Sequence, residues 1–110
     1  MIKNSNSTRF YSENQEKRVA KKLGGRVVAN SGATAFNKGD VIANNILIEC
    51  KTSIEEKSSF SIKKEWLEKN KKEAFSMGFN NNALAFSFGN DKDYIVIDID
   101  YFKKLLEGEN

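Results

Sequence analysis

Two carboxylates and one amine, at Asp40, Glu49 and Lys51, have the residue types and the spacing of a cation-assisted hydrolytic site. Glu49 and Lys51 lie in the apolar run ILIECKT at 46–52, which predicts a central β-strand. Because successive side chains of a strand point to opposite faces, these two share one face, about 6–7 Å apart. Burying a carboxylate and an amine together costs free energy, so selection for folding alone would not place both on this face. The alternative is an exposed strand face with a cross-strand ion pair.

A predicted hairpin brings the second carboxylate to the same place. The segment DVIA at 40–43 begins with Asp40, and Asn44 and Asn45 separate it from the strand at 46–52. Paired asparagines tolerate the positive φ that a tight hairpin needs. Two carboxylates that converge repel each other and raise a pKa, and a bound Mg²⁺ removes that conflict. The alternative for Asp40 is an ordinary turn or strand-start residue.

The chain has no histidine, which excludes the usual zinc sites, Ser-His triads and sites with histidine as the base. Hydrolysis must then rely on carboxylates, lysine and a hard cation. The single Cys50 cannot form an internal disulfide, which fits a reducing compartment. We interpret Cys50 as a small buried apolar residue rather than a nucleophile.

A further acid is predicted on the first helix. Glu16 precedes Val19, Ala20 and Leu23, which recur at helical spacing and form a stripe that faces the sheet. An acidic residue on such a stripe needs a partner, so we favour Glu16 as an accessory acid of the site. Glu13, one turn earlier, is the competing candidate, and a plain surface position is the other alternative for Glu16.

The predicted elements follow the order αβββαββα, which indicates an α+β sandwich around a mixed five-stranded sheet. The first helix begins at a capping box of Ser12 and Gln15, or a turn earlier near Arg9, and ends at Gly24. Residues 31–39 form a loop by composition. The predicted strands are 26–30, 40–43, 46–52, 83–88 and 94–99, and the other helices are 61–77 and 101–107, with Asp100 as the last cap.

The second helix and its surroundings carry aromatic and basic residues. We assign Trp66, Phe75 and Phe79 to the core rather than to base stacking. The lysines of this helix have two equally good interpretations, phosphate contacts or a solvated helix face. They are Lys63, Lys64, Lys69, Lys71 and Lys72.

The length of 110 residues predicts one domain, 1–110, with a loose polar segment at 1–8. No window approaches the roughly 18–20 apolar residues of a membrane span, and the start lacks a secretory signal. We therefore expect no membrane partner and a cytoplasmic location, and the family resemblance given below implies a bacterial or phage-infected cell. Residues 1–57 hold ten Lys and Arg against six acids, whereas residues 58–110 hold eight against nine. A basic half suits a polyanion such as DNA, and a solvated lysine-rich surface is the alternative.

The residues Glu16, Gly39-Asp40 and Glu49-Cys50-Lys51 together resemble the signature of the PD-(D/E)xK nuclease superfamily. Over residues 9–88, the order of elements and the loop containing Ser31 resemble the archaeal and phage Holliday-junction resolvases. Gly39 stands where the superfamily has its nominal proline. That proline is not a ligand, so the departure weakens the motif without removing a functional group.

The resemblance implies a restriction-endonuclease-like core and a bound Mg²⁺, for which Mn²⁺ is a possible substitute. Asp40, Glu49 and the backbone carbonyl of Cys50 would hold the cation, and Glu16 would reach it through a water. Lys51 would orient or deprotonate the attacking water. Ser31 would lie near the scissile phosphate.

The activity implied by the resemblance is endonucleolytic cleavage of DNA, most directly by a Holliday-junction resolvase in recombination or repair. Two coordinated nicks need two sites, so a homodimer is expected. Its candidate surface is the C-terminal strand and helix, with Tyr94, Tyr101 and Phe102. The alternatives are a restriction or repair nuclease for another DNA structure, and a catalytically inactive nucleic-acid-binding protein of the same fold.

Overall fold

The computed structural model describes residues 5–28 and 40–108, with side chains from Arg9 onward. Within these residues the chain forms three helices and one mixed five-stranded sheet, in the predicted order. The α+β prediction is therefore confirmed. The elements are α1 (Ser5–Leu23), β1 (Arg26–Val27), β2 (Asp40–Ala43), β3 (Ile46–Thr52), α2 (Lys64–Ser76), β4 (Asn81–Ser87), β5 (Asp93–Val96) and α3 (Ile99–Leu106).

The sheet has the strand order β1-β2-β3-β4-β5, so neighbours in space are also neighbours in sequence. All neighbouring pairs are antiparallel except β3 and β4, which are parallel. Parallel neighbours need a long crossover connection, and α2 provides it. As a result, the carboxyl-terminal ends of β3 and β4 lie at the same edge of the sheet.

The turn between β2 and β3 is the predicted tight hairpin. Asn44 and Asn45 have φ values of 49° and 62°, the left-handed conformation that asparagine adopts more readily than other non-glycine residues. The turn fixes the register of the two strands and places Asp40 opposite Glu49. The hairpin therefore determines which side chains meet at the far end of the two strands.

Helices cover both faces of the sheet. On the face that we call the α1 face, Val19 and Ala20 pack with Val41, Ile48 and Ala85 in the main apolar core. The opposite face, the α2 face, is more polar. There the buried Asn70 of α2 donates a hydrogen bond to the Leu47 carbonyl at 3.3 Å and accepts one from Asn82 at 2.7 Å.

The ends of several elements differ from those predicted. α1 begins at Ser5, so Ser12 lies inside the helix and does not cap it. The second helix begins at Lys64 rather than near 61, and β5 ends at Val96 rather than at 99. Asp98, rather than Asp100, caps α3, because its side chain accepts a hydrogen bond from the Asp100 amide at 2.7 Å.

Two predicted core positions are also wrong. The side chain of Phe75 is 81 % exposed, because the buried stripe of α2 consists of Asn70, Glu73 and Ala74, and Phe75 follows that stripe around the helix. Leu23, at the last turn of α1, is exposed as well. Ser31 and Gly39 lie outside the described residues. None of the helices in the described ranges has the length and apolarity that a membrane crossing needs.

Candidate active site

The two central carboxylates lie on the α2 face, directly across the β2–β3 hairpin from each other. Asp40 and Glu49 are register partners, and their residues are 1 % and 9 % exposed. Lys51 follows two residues later on the same face, and its Nζ lies 3.2 Å from Glu49 Oε2. The strand alternation and the hairpin inferred from the sequence therefore bring these three residues together.

Lys51 is held from two sides. Its Nζ lies 4.5 Å from the centroid of the Trp66 ring, which is within the range of a cation–π interaction. Glu49 binds the same ammonium group, and the Lys51 side chain is half-buried. The amine is thus positioned beside a carboxylate while it keeps partial access to solvent.

The electrostatics of Asp40 are unfavourable in the absence of a cation. Burial, followed by the nearby charges of Glu49 and Glu73, raises the pKa of Asp40 to about 8. Among the described residues, no group forms a hydrogen bond with its buried Oδ2 atom. An unsatisfied buried oxygen typically costs about 1–3 kcal/mol, and more when it is charged. The position favours binding of a positive group.

Sequence reasoning missed Glu73, a third acid on this face. Its residue is 7 % exposed, and neither carboxylate oxygen has a hydrogen-bond partner within the described ranges. Lys69, one turn earlier, has its Nζ 3.9 Å from Glu73 Oε2. Burial raises the pKa of Glu73, and the charge of Glu49 adds to this effect, whereas Lys69 opposes it. The signal in the sequence was its helical spacing from Asn70, on the stripe that α2 buries.

Glu16 lies on the helix that covers the opposite face of the sheet. It is half-buried, whereas Glu13 is exposed, which favours Glu16 as the acid that faces the sheet. Burial raises the pKa of the Cys50 thiol, and the negative charge of Glu16 raises it further. The same charge also raises the pKa of Asp40, but less than burial, Glu49 and Glu73 do. Contact between Glu16 and a bound cation stays a prediction. The raised pKa keeps the Cys50 thiol protonated, in agreement with its interpretation as a non-nucleophilic residue.

The predicted role of Gln15 as part of a capping box is wrong. Because α1 begins at Ser5, Gln15 lies in mid-helix and is almost fully buried. Its Nε2 donates to the Lys51 carbonyl at 2.8 Å and to Asp93 Oδ1 at 3.1 Å. Arg18 Nε binds the other Asp93 oxygen at 2.7 Å. This network connects α1 to the end of β3 and fixes the backbone that carries Lys51.

Beyond Lys51, the α2 face continues into a row of aromatic rings. Lys51 is in register with Phe86, whose ring stacks on those of Phe60 and Tyr94 at centroid distances of 5.3 and 5.5 Å. The row therefore borders the amine on the side away from the carboxylates. Its members are Phe60, Trp66, Phe86, Phe88 and Tyr94.

A cleft of about 490 Å³ lies elsewhere, between α2 and α3, and is lined by residues that include Leu67, Val96 and Tyr101. It contains none of the three central residues, so the candidate chemistry is at the end of the β2–β3 hairpin rather than in this cleft.

The donor set at the hairpin fits a hard divalent cation. Carboxylate oxygens are the side-chain ligands that Mg²⁺ prefers, and Asp40 Oδ2 is buried without a hydrogen-bond partner from the described part of the chain. In the same part of the chain, no three acidic or thiol side chains are grouped so as to hold a metal ion. The side chains that would hold such a cation are those of Asp40 and Glu49.

Comparison with known proteins found no likeness. No protein-family model matches the chain, and no curated protein or solved structure matches it.

Proposed function

We propose that this chain is a metal-dependent endonuclease that hydrolyses DNA phosphodiester bonds, with a restriction-endonuclease-like core. The observation that carries the proposal is the convergence of Asp40, Glu49 and Lys51 on one sheet face, with the amine 3.2 Å from Glu49. The order αβββαββα and the central hairpin also agree with the PD-(D/E)xK pattern.

Asp40 and Glu49 are the proposed ligands of Mg²⁺, or of Mn²⁺ in its place, together with the backbone carbonyl of Cys50. When bound, such a cation lowers the pKa of its water and polarises the scissile phosphate. The carboxylates themselves define where it binds, because β2 and β3 are rigidly paired at these two residues. Glu16 and Ser31 remain candidates for accessory roles.

Lys51 supplies fixed positive charge where negative charge develops on the phosphate in the transition state. Its contacts with Glu49 and Trp66 restrict the amine to one region, so little reorganisation is needed during the reaction. With a cation held at Asp40 and Glu49, Lys51 would orient or deprotonate the attacking water.

The proposed substrate is branched DNA, most directly a Holliday junction, cut by a homodimer. The exposed apolar residues of α3 provide a candidate dimer surface that no part of the described chain covers: Ile99, Phe102 and Leu106 lie at helical spacing and are exposed. Of the residues expected at this surface, Phe102 and Tyr94 are exposed, although Tyr94 also packs in the aromatic row, and Tyr101 is half-buried.

A cleavage assay tests this function. End-labelled synthetic four-way junctions and linear duplexes of matched sequence are incubated with the protein in Mg²⁺ or in EDTA. We expect paired nicks in the junction, with Mg²⁺ only. Cleavage of both substrates alike supports the restriction or repair alternative, and binding without Mg²⁺-dependent cleavage of either overturns the proposed activity.

A further inference from the structure

Glu73 is buried in a way that its known contacts do not explain. Its residue is only 7 % exposed, yet within the described residues neither oxygen accepts a hydrogen bond. Among the described residues, the cation paired with Glu73 is Lys69, whose Nζ is 3.9 Å away, beyond hydrogen-bond distance, and whose side chain is 59 % exposed. A buried carboxylate normally has a close partner, because removing its charge from water is energetically unfavourable.

A second pair on the same helix provides an internal comparison. Lys64 and Glu68 have the same spacing and the same N–O distance of 3.9 Å, but the Glu68 side chain is 61 % exposed. Water solvates Glu68, so that pair needs no further ligand. Unlike Glu68, Glu73 lies on the stripe of α2 that is buried against the sheet.

Glu73 lies on the same side of the sheet as the two carboxylates of the candidate site, on the stripe that α2 buries. α2 packs on β3 and β4, over the face that carries Asp40 and Glu49. The three acids are close enough to affect one another, since the charge of Glu73 disfavours ionisation of Asp40 and that of Glu49 disfavours ionisation of Glu73. Three elements, β2, β3 and α2, thus direct acidic groups toward one region.

We propose that Glu73 is a third acidic group of the cation site, bound to the cation through a coordinated water, and that Lys69 is its counter-ion when no cation is present. The proposal places Glu73 behind a water rather than in direct contact, since in the described ranges no three acidic or thiol side chains are grouped so as to hold a metal ion by themselves. This inference rests on the proposed cation site at Asp40 and Glu49, and adds to it a ligand from the second helix.

Mn²⁺ binding, measured from the EPR signal of the free ion, tests the proposal without any activity readout. Glu73→Gln is compared with the matched control Glu68→Gln on the same helix. We expect Glu73→Gln to weaken Mn²⁺ binding by about 10–100-fold, as the loss of an outer-shell partner of a metal typically does. Glu68→Gln should bind Mn²⁺ as the wild type does.

Thermal unfolding in EDTA separates this role from a structural one. If Glu73 belongs to the cation site, Glu73→Gln removes a buried charge that its neighbours repel, and the melting temperature should stay unchanged or rise. If Glu73 instead stabilises the fold through its ion pair with Lys69, the melting temperature should fall. Lys69→Gln should lower the melting temperature in EDTA, because Glu73 then has no counter-ion. Mn²⁺ should restore the melting temperature, because the cation takes the place of the lysine as the positive charge near Glu73. Lys64→Gln is the matched control.

Asp40→Asn distinguishes failure of the inference from failure of the proposed function. If the wild type binds Mn²⁺, Asp40→Asn abolishes binding and Glu73→Gln binds normally, the site stands and the role of Glu73 is overturned. If the wild type binds no Mn²⁺, or if Asp40→Asn binds it equally well, the cation site itself is overturned, and Glu73 with it.

Discussion

Replacement of Lys51 by methionine should separate catalysis from folding and from DNA binding. Methionine keeps much of the apolar stem that packs near Trp66 but removes the charge. We expect the cleavage rate at saturating Mg²⁺ and DNA to fall on the order of 10²–10³-fold, which corresponds to about 2.7–4 kcal/mol of lost transition-state stabilisation. The physical reason is that, among the described residues, Lys51 is the one that places an amine in an ion pair with Glu49.

In Mg²⁺ the stability change should be smaller than the loss in catalysis. The substitution removes a cation–π contact worth about 0.5–1 kcal/mol. It also takes the ammonium partner from Glu49, whose side chain is 11 % exposed, and leaving a buried acceptor without its partner costs about 1–3 kcal/mol. The sum, about 1.5–4 kcal/mol, is a fraction of the roughly 5–15 kcal/mol that stabilises a typical domain. Mg²⁺ should restore part of it, because the cation replaces the ammonium group beside Glu49. The protein therefore stays folded in the assay.

Lys63→Met is the matched control for this experiment. Lys63 Nζ lies 5.7 Å from the same Trp66 ring, so this variant also removes a cation over that indole, and none of the ion pairs found in the described structure involves Lys63. Single-turnover cleavage on labelled DNA gives the rates, and fluorescence anisotropy gives the affinity. A Lys51→Met protein that cuts at the wild-type rate, or a Lys63→Met protein that loses as much activity, refutes the assignment of Lys51.

Three further predictions concern the support of the site, the assembly and the DNA contact. Gln15→Ala should lower the free energy of unfolding in urea by about 1–3 kcal/mol, because the Lys51 carbonyl loses its 2.8 Å hydrogen bond and buried polar groups are left unpaired; an unchanged urea midpoint would contradict this role. Phe102→Asp should shift the proposed dimer toward monomer in light scattering at micromolar concentration, because it places a charge in the exposed apolar stripe of α3; a wild type that is already monomeric removes the dimer proposal. DNA affinity should fall steeply between 50 and 200 mM salt, in proportion to the number of phosphates that the basic residues neutralise; a flat salt dependence would count against a phosphate-binding surface.

The β2–β3 hairpin shows how much of the site the sequence contains. Asn44 and Asn45 identify the turn, and the turn length sets the register of Asp40 against Glu49. Alternation along ILIECKT then places Lys51 on the same face as Glu49. Both inferences depend only on local geometry, which is why the structure agrees with them.

Positions that depend on tertiary packing were harder to predict. The apolar side chain of Phe75 is predicted in the core, whereas the structure exposes it and buries the charged Glu73 of the same helix. Asn70, on the same buried stripe of α2, pairs with the Leu47 carbonyl and with Asn82. No local pattern around residue 70 reveals those distant partners.

The same reason explains the errors in the first helix. Ser12 and Gln15 have the spacing of a capping box, but the helix continues through them to Ser5. The side chain of Gln15 instead forms contacts with residues 36 and 78 positions away, which no short motif predicts. The prediction of Glu16 as the acid facing the sheet depended only on helical spacing, and the structure places it half-buried beside the α1 face.

The most direct test of the proposed function is nicking of supercoiled plasmid DNA by the wild type and by Asp40→Asn, purified in parallel. The wild type should convert supercoiled plasmid to the open circular form in Mg²⁺ and not in EDTA, and Asp40→Asn should bind the plasmid without nicking it in either condition. Mg²⁺-dependent nicking by Asp40→Asn at the wild-type rate, or no nicking by the wild type under any condition, would contradict the proposed active site.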